Sequence, residues 1–464
     1  MTNEIYTMTT AAAALKDGAV SATELAEAAI AAATAKDEDL GIYMRRFDAQ
    51  LLETAAKADA QFAAGGQTPP MLGLPLGIKD IISTSEGETT AQSLVLDRGW
   101  GERQGDAEVV RRLRDHGALI TGKTTTMEFA TGIPDPSKPF PVPRNPWNSE
   151  HWTGGSSSGT GNGVVAGAML GGLGTDTGGS IRLPAAYCGI SGLKATFGRV
   201  PKSGCVPLGY SLDHIGPMAA SAADCALMLN ALAGANQSDP TTQDVPVVDY
   251  LDALSGDVGG LRIGIDPLLA TNPDRESAVD EALAAAVALF QAAGARVEET
   301  RLPLYAEVAA ACRITSRCEA LSYHLPDLQS RWGDYFNSTR TGVASGAFFT
   351  GADYVQAQRV RRHARKLAAD ELWSNYDLIL TPTTSSSAPA LADLLDGGWQ
   401  FSTTHTGYWN ALGNPALSVP MGFDSKDLPL SLQIVGRPFD EATVLRAGDT
   451  YQRGTAWHLA RPAA

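Results

Sequence analysis

The stretch GTDTGGSIRLP, residues 174–184, decides how the rest of this chain is read. Gly178 and Gly179 stand directly before Ser180, and Arg182 and Pro184 follow it. Successive glycines let backbone come close to another group, because no Cβ intervenes. The pattern therefore raises two questions: what Ser180 is presented to, and which group takes its proton.

Outward from that stretch, apolar runs alternate with helical periodicity. LPLGIKDII (74–82) reads as a buried strand, DAEVVRRLRDHG (106–117) as a helix ended by Gly117, and ALITGK (118–123) as the next strand. Helices alternating with buried strands argue for an α/β sheet covered on both faces. Ser21-Ala22-Thr23-Glu24 is a capping box before an alanine-rich helix, and a second helix is expected over about 46–63, stopping at Gly65-Gly66. Residues 131–155 are proline-rich and irregular, and 154–209 are so dense in glycine that they read as a long functional loop. LRIGID (261–266), YDLILTPTT (376–384) and LPLSLQIVG (428–436) read as strands. Helices are expected over about 276–294 and most of 303–400, and EATVLRAGDTYQR closes the chain as a helix. No repeat and no linker marks a boundary. The expectation is one domain over 1–464, with N-terminal helices (1–66), a core (67–300), a helical region (303–400) and closing strands and helix (401–464).

The 464 residues carry a net charge of −15, which argues against a nucleic-acid surface. Arg359, Arg361, Arg362, Arg365 and Lys366 read as the wet side of one helix. The five cysteines are odd in number and form no CxxC pair, so neither a disulfide framework nor a zinc site is expected. The start MTNEIYTMTTAAAALKDG lacks a basic secretory signal, and no apolar run is long enough to span a membrane. The expected location is the cytoplasm.

Two motif matches fail on context. GALITGKT (117–124) fits the P-loop pattern, but its middle residues are themselves the predicted strand, so their amides are not free to cradle phosphate. GSSSG (155–159) fits the nucleophile elbow around Ser157, but no strand precedes it and no histidine has an evident acid partner.

Three stretches remain: Lys79 in LPLGIKDII, Ser156 in TGGSSSGTG and Ser180 in GTDTGGSIR. Lys79 lies among Leu74, Leu76, Ile78, Ile81 and Ile82, so it reads as buried. A buried lysine is either paired or neutral, and a neutral one is a competent base. On the residues alone, a Ser–Ser–Lys site stands beside the plainer reading of serines in glycine-rich loops.

The run TGGSSSGTGNGVVAG…GTDTGGSIRLPAAYCGISGLKATFGRV closely resembles the signature of the amidase signature family. LGLPLGIKDII, GALITGKTTTMEFA, RNPWN, SLDHIGPM, YDLILTPT and GNPALSVPMGF…LPLSLQIVGRPFDEATVL match in order, covering most of 70–455. The resemblance implies a mixed central sheet between helical layers, an α/β/α sandwich. It implies Ser180 as nucleophile, Ser156 as bridging serine after a cis Gly155–Ser156 bond, and Lys79 as base. The backbone N–H groups of Thr177, Gly178, Gly179 and Ser180 become the candidate oxyanion donors, and Gly155, Asp176 and Arg182 supports of the loop. The implied activity is hydrolysis of amide C–N bonds through an acyl-enzyme, with no cofactor and no metal.

Phe140, Trp152, Trp399, Tyr408 and Trp409 read either as walls of an apolar acyl or aryl pocket or as core. As pocket walls they favour aryl amides or carbamates. The glutaminase subunit of tRNA-dependent amidotransferases is the rival within the family, and a non-catalytic scaffold the rival outside it. Thr403 stands where that subunit's substrate-binding acid falls, which argues against glutamine. The partners expected on this reading are a small-molecule amide or carbamate, no nucleic acid, no membrane and a possible homodimer.

Overall fold

A computed structural model describes residues 6–269, 272, 275–397 and 404–462. Its strands are β1 (Tyr43–Arg46), β2 (Pro75–Lys79), β3 (Leu119–Thr124), β4 (Gly171–Asp176), β5 (Ser191–Lys194) and β6 (His214–Ala219), then β7 (Arg262–Ile265), β8 (Arg296–Glu299), β9 (Leu378–Pro382), β10 (Ala416–Phe423) and β11 (Pro429–Gly436). They form one sheet in the order β1-β3-β2-β4-β6-β5-β10-β11-β9-β7-β8. β2 runs parallel to β3 and β4, and β7 parallel to β8 and β9. The remaining pairings are antiparallel, so the sheet is mixed, as expected. β2, β3, β4, β6, β9 and β11 are buried at every position, which requires cover on both faces.

The helix Ala22–Leu40 starts where its capping box predicts, with the Ser21 hydroxyl accepting from Glu24 N–H at 3.1 Å. The helices Asp48–Ala64, Glu108–Asp115, Ser277–Ala292 and Glu441–Arg453 fall where periodicity places them. β3 contains the Gly-Lys-Thr of the rejected P-loop pattern, and Lys123 is buried 3.2 Å from Asp80.

Residues 158–194 are not a loop but form the helix Ser158–Ala166, β4, the helix Arg182–Cys188 and β5, whereas 195–209 carry no helix or strand. Glycine serves contact here. A Cβ on Gly159 would lie 2.1 Å from the Ile42 carbonyl oxygen and 2.5 Å from Thr125 N. Burial of the whole helix Ser158–Ala166 outweighs glycine's helix penalty of about 1 kcal/mol per residue.

On the helix Gly351–Leu367, Arg359, Arg362, Arg365 and Lys366 are exposed as expected, and one residue of that cationic face needs correction. Arg361 is buried, and its guanidinium donates to Ala411 O and Ser211 O at 3.1 and 3.0 Å. No helix among the described residues is long and apolar enough to cross a membrane.

Candidate active site

Parallel strands side by side bring their carboxyl ends together, and open α/β sheets place their crevices there. β2 ends in Lys79, and β4 ends in Thr175-Asp176, with Ile78 opposite Leu173. Residues 154–157 then lead into the helix Ser158–Ala166 above those ends. The Gly155–Ser156 peptide bond is cis.

The Lys79 amine is fully buried and donates to three hydroxyls: Ser156 at 2.6 Å, Ser157 at 2.9 Å and Thr175 at 2.7 Å. Among the described residues no carboxylate pairs with it. Burial pushes its pKa down to about 7, against weaker raising influences from Cys205, Asp176 and Asp213. The three hydroxyls are not equivalent. Ser157 Oγ donates to Thr175 O at 3.3 Å and accepts from Thr175 N at 3.1 Å, so its proton is committed. Ser156 has no such commitment. A neutral amine has two N–H donors and one lone pair, so it can donate to Ser157 and Thr175 and accept from Ser156.

Ser180 is half-exposed, and its carbonyl accepts from Ser157 N–H at 3.2 Å, which ties its loop to the turn bearing Ser156. Asp176 and Arg182 are both fully buried and pair at 2.9 Å. All five guanidinium N–H groups are used: by Asp176 twice, and by Thr406 O, Gln433 and Asn410. Burial alone would raise the Asp176 carboxyl, but Arg182 and Asn410 hold it well below the carboxylate range. Arg182→Met leaves that carboxylate buried without its cation. The expected loss is about 3–5 kcal/mol of stability, read as an earlier transition in urea.

Of the four expected oxyanion donors, one is corrected. Gly179 N–H donates to Asp176 Oδ1 at 2.8 Å, so it is already satisfied. The N–H groups of Thr177, Gly178 and Ser180 have no acceptor among the described residues. Gly155 is packed so closely that a Cβ would lie 2.9 Å from the Trp152 ring.

Three of the five aromatic candidates are core side chains. Trp152, Tyr408 and Trp409 are at most 1% exposed. Tyr408 stacks on Tyr305 at 5.5 Å, meets Trp409 edge-on at 4.8 Å and donates to Pro303 O. Phe140 packs on Phe336 at 5.7 Å. Trp399 and Thr403 lie outside the described residues. The cavity beside Thr175 and Thr177 is lined by other residues. It measures about 140 Å³, with Ile81, Val206, Pro207, Leu208 and Ile215 as apolar walls and Lys202 among its polar ones. Sequence reading missed those walls, and also Ser157, Thr175, Thr406, Asn410 and Gln433. Strand alternation puts Thr175 and Thr177 on the same side of Asp176, the one signal that pointed to them.

Residues 24–445 match the family model described as Amidase. The chain is 37% identical over 486 residues to a glutamyl-tRNA(Gln) amidotransferase subunit from Chloroflexus aggregans, covering 99% of both chains. It is 38% identical over 485 residues to the same-named protein of a Roseiflexus species, covering 98% of both. Among solved structures it superposes with a TM-score of 0.90, at 28% identity, over 99% of this chain and 100% of the other, on a chain from a vestigial protein complex described for the origins of an s-triazine catabolic enzyme. These matches overturn the expected partners, a lone small molecule with no nucleic acid and at most a homodimer. The two relatives are named as subunits of an enzyme of glutamyl-tRNA(Gln), and the structural neighbour comes from a protein complex.

Proposed function

This chain belongs to the amidase family of serine hydrolases acting on C–N bonds, and on that premise we propose that it is the amide-cleaving component of an amidotransferase-type assembly, with glutamine as its carboxamide. One observation carries the chemistry: a buried Lys79 amine 2.6 Å from Ser156 Oγ, hydrogen-bonded to hydroxyls and, among the described residues, paired with no carboxylate. Lys79 in its neutral form accepts the Ser156 proton, and Ser156 takes the proton of Ser180. Ser180 Oγ attacks the carboxamide carbon. The oxygen that becomes anionic is met by free backbone N–H groups of the 177–180 loop. Return of the proton through Ser156 to nitrogen lets ammonia leave. Water then attacks the acyl-enzyme through the same relay, releasing the acid and restoring Ser180. The assembly is carried by likeness to the amidotransferase subunits.

A second reading has its own observation. The apolar cavity beside Thr175 and Thr177 suits an uncharged acyl or aryl group better than a zwitterion. Ammonia or amine release from glutamine, a short aliphatic amide, an aryl acylamide and an aryl carbamate separates the two. Each substrate is assayed with the chain alone and with the remaining subunits of a relative's amidotransferase. The expected result is glutamine turnover that rises when those subunits are added. Turnover of the aryl substrates with glutamine untouched would establish the second reading instead.

A further inference from the structure

The Gly178–Gly179 peptide is gripped at both ends by side chains from opposite parts of the chain. Its N–H goes to Asp176 at 2.8 Å. Its carbonyl, that of Gly178, accepts from the Thr406 hydroxyl at 2.6 Å, across 228 residues of sequence. Thr406 is fully buried and stands at the N-cap of the helix Gly407–Leu412, yet its side chain makes no cap hydrogen bond. Threonine at that position ordinarily accepts from the first turn of its helix. Here the hydroxyl proton is turned toward Gly178 instead. The approach is close: Gly179 has φ +139°, and a Cβ there would lie 2.2 Å from Thr406 Oγ1. Thr406 O also accepts from Arg182 at 3.0 Å, so the group gripping the carbonyl is itself held by the buried pair.

We infer that Thr406 is a positioning residue of the Ser180 site: its hydroxyl sets the plane of the Gly178–Gly179 peptide and so the direction of the flanking Gly178 and Ser180 N–H groups. This rests on the proposed role of Ser180. The grip leaves those two N–H groups without acceptors among the described residues, on either side of a peptide that cannot rotate. Rotation of that peptide would turn the donors away from a developing oxyanion, and a donor lost from such a site costs about 10²- to 10³-fold in rate.

The test compares Thr406→Val, which keeps the shape and removes the hydroxyl, with Thr406→Ser, which keeps the hydroxyl. Two readouts are taken on each: steady-state kinetics on whichever carboxamide the chain turns over, and the rate at which a fluorophosphonate modifies Ser180, followed by mass spectrometry. Thr406→Val is expected to lower kcat by about 10- to 100-fold with KM within twofold, and to slow Ser180 modification in parallel. Thr406→Ser is expected to restore both to within about threefold of wild type. A Thr406→Val chain that is modified at the wild-type rate overturns the inference, as does a loss that serine fails to rescue. A wild-type chain modified at Ser180 that hydrolyses no carboxamide overturns the proposed function while the Thr406 inference is judged on the modification rates. A wild-type chain left unmodified at Ser180 overturns both.

Discussion

Ser180→Ala is expected to fold as wild type and to lose about 10⁴- to 10⁶-fold in kcat, because no second nucleophile can replace the missing oxygen. The loss falls on chemistry rather than stability. Ser180 is half-exposed, and the contact that ties its loop to Ser157 uses its carbonyl, which alanine keeps. The stability change is therefore expected within about 0.5 kcal/mol. Substrate still has access, since the position beside Gly178 faces open space. The check is single-turnover release from the best substrate together with a urea transition. Turnover that survives in the variant would place the nucleophile elsewhere.

Lys79→Met is expected to lower kcat on the order of 10⁴-fold, since Ser156 then has nothing to pass a proton to. Wild-type activity should depend on the neutral amine. With the Lys79 pKa near 7, kcat/KM is expected to be half-maximal around that pH and to fall about tenfold per unit below it. Stability carries an independent mark. An unfolded lysine titrates near about 10.4, so above pH 7 the unfolded chain binds a proton that the folded chain lacks. Wild-type stability therefore gains from Lys79 as pH rises from about 7 toward 10, and the variant does not. Denaturation across that range should show the variant's stability, relative to wild type, decreasing with pH. An activity profile with no acid limb near pH 7 would remove Lys79 as the base.

Much of the frame was legible because its signals are local. The Ser21–Glu24 box marks a helix start, and short apolar runs bounded by turn residues locate β2, β3, β9 and β11. The same locality explains what was lost. In 154–209 glycine frequency reads as loop, yet the decisive fact is that the Ile42 carbonyl and Thr125 lie where a side chain on Gly159 would be. That fact resides in residues distant in sequence. Lys79, Ser156 and Ser180 could be singled out one by one from their neighbours in sequence and from the family resemblance. The groups that hold them could not: Asn410 and Gln433 lie 228 and 251 residues from the arginine they bond. The aromatic residues stayed open between pocket and core for a related reason, since a large ring in sequence does not say whether it faces a cavity or a core.

Sheet order has a consequence for a chain made from its N-terminus onward. β10 and β11 are the last strands synthesised, yet they lie in the interior of the sheet, joining β5 on one side to β9 on the other. Apart from β10 and β11, no pairing among the described residues joins the strands β1 to β6 to the strands β7 to β9. Lys79, Ser156 and Ser180 all belong to the first half, but Thr406, Asn410 and Gln433 arrive with the final hairpin and the helix before it. Ser180 thus precedes Thr406 in synthesis by about half the length of the chain. On the proposed mechanism, the groups that fix the Ser180 loop join it only when the closing hairpin completes the sheet.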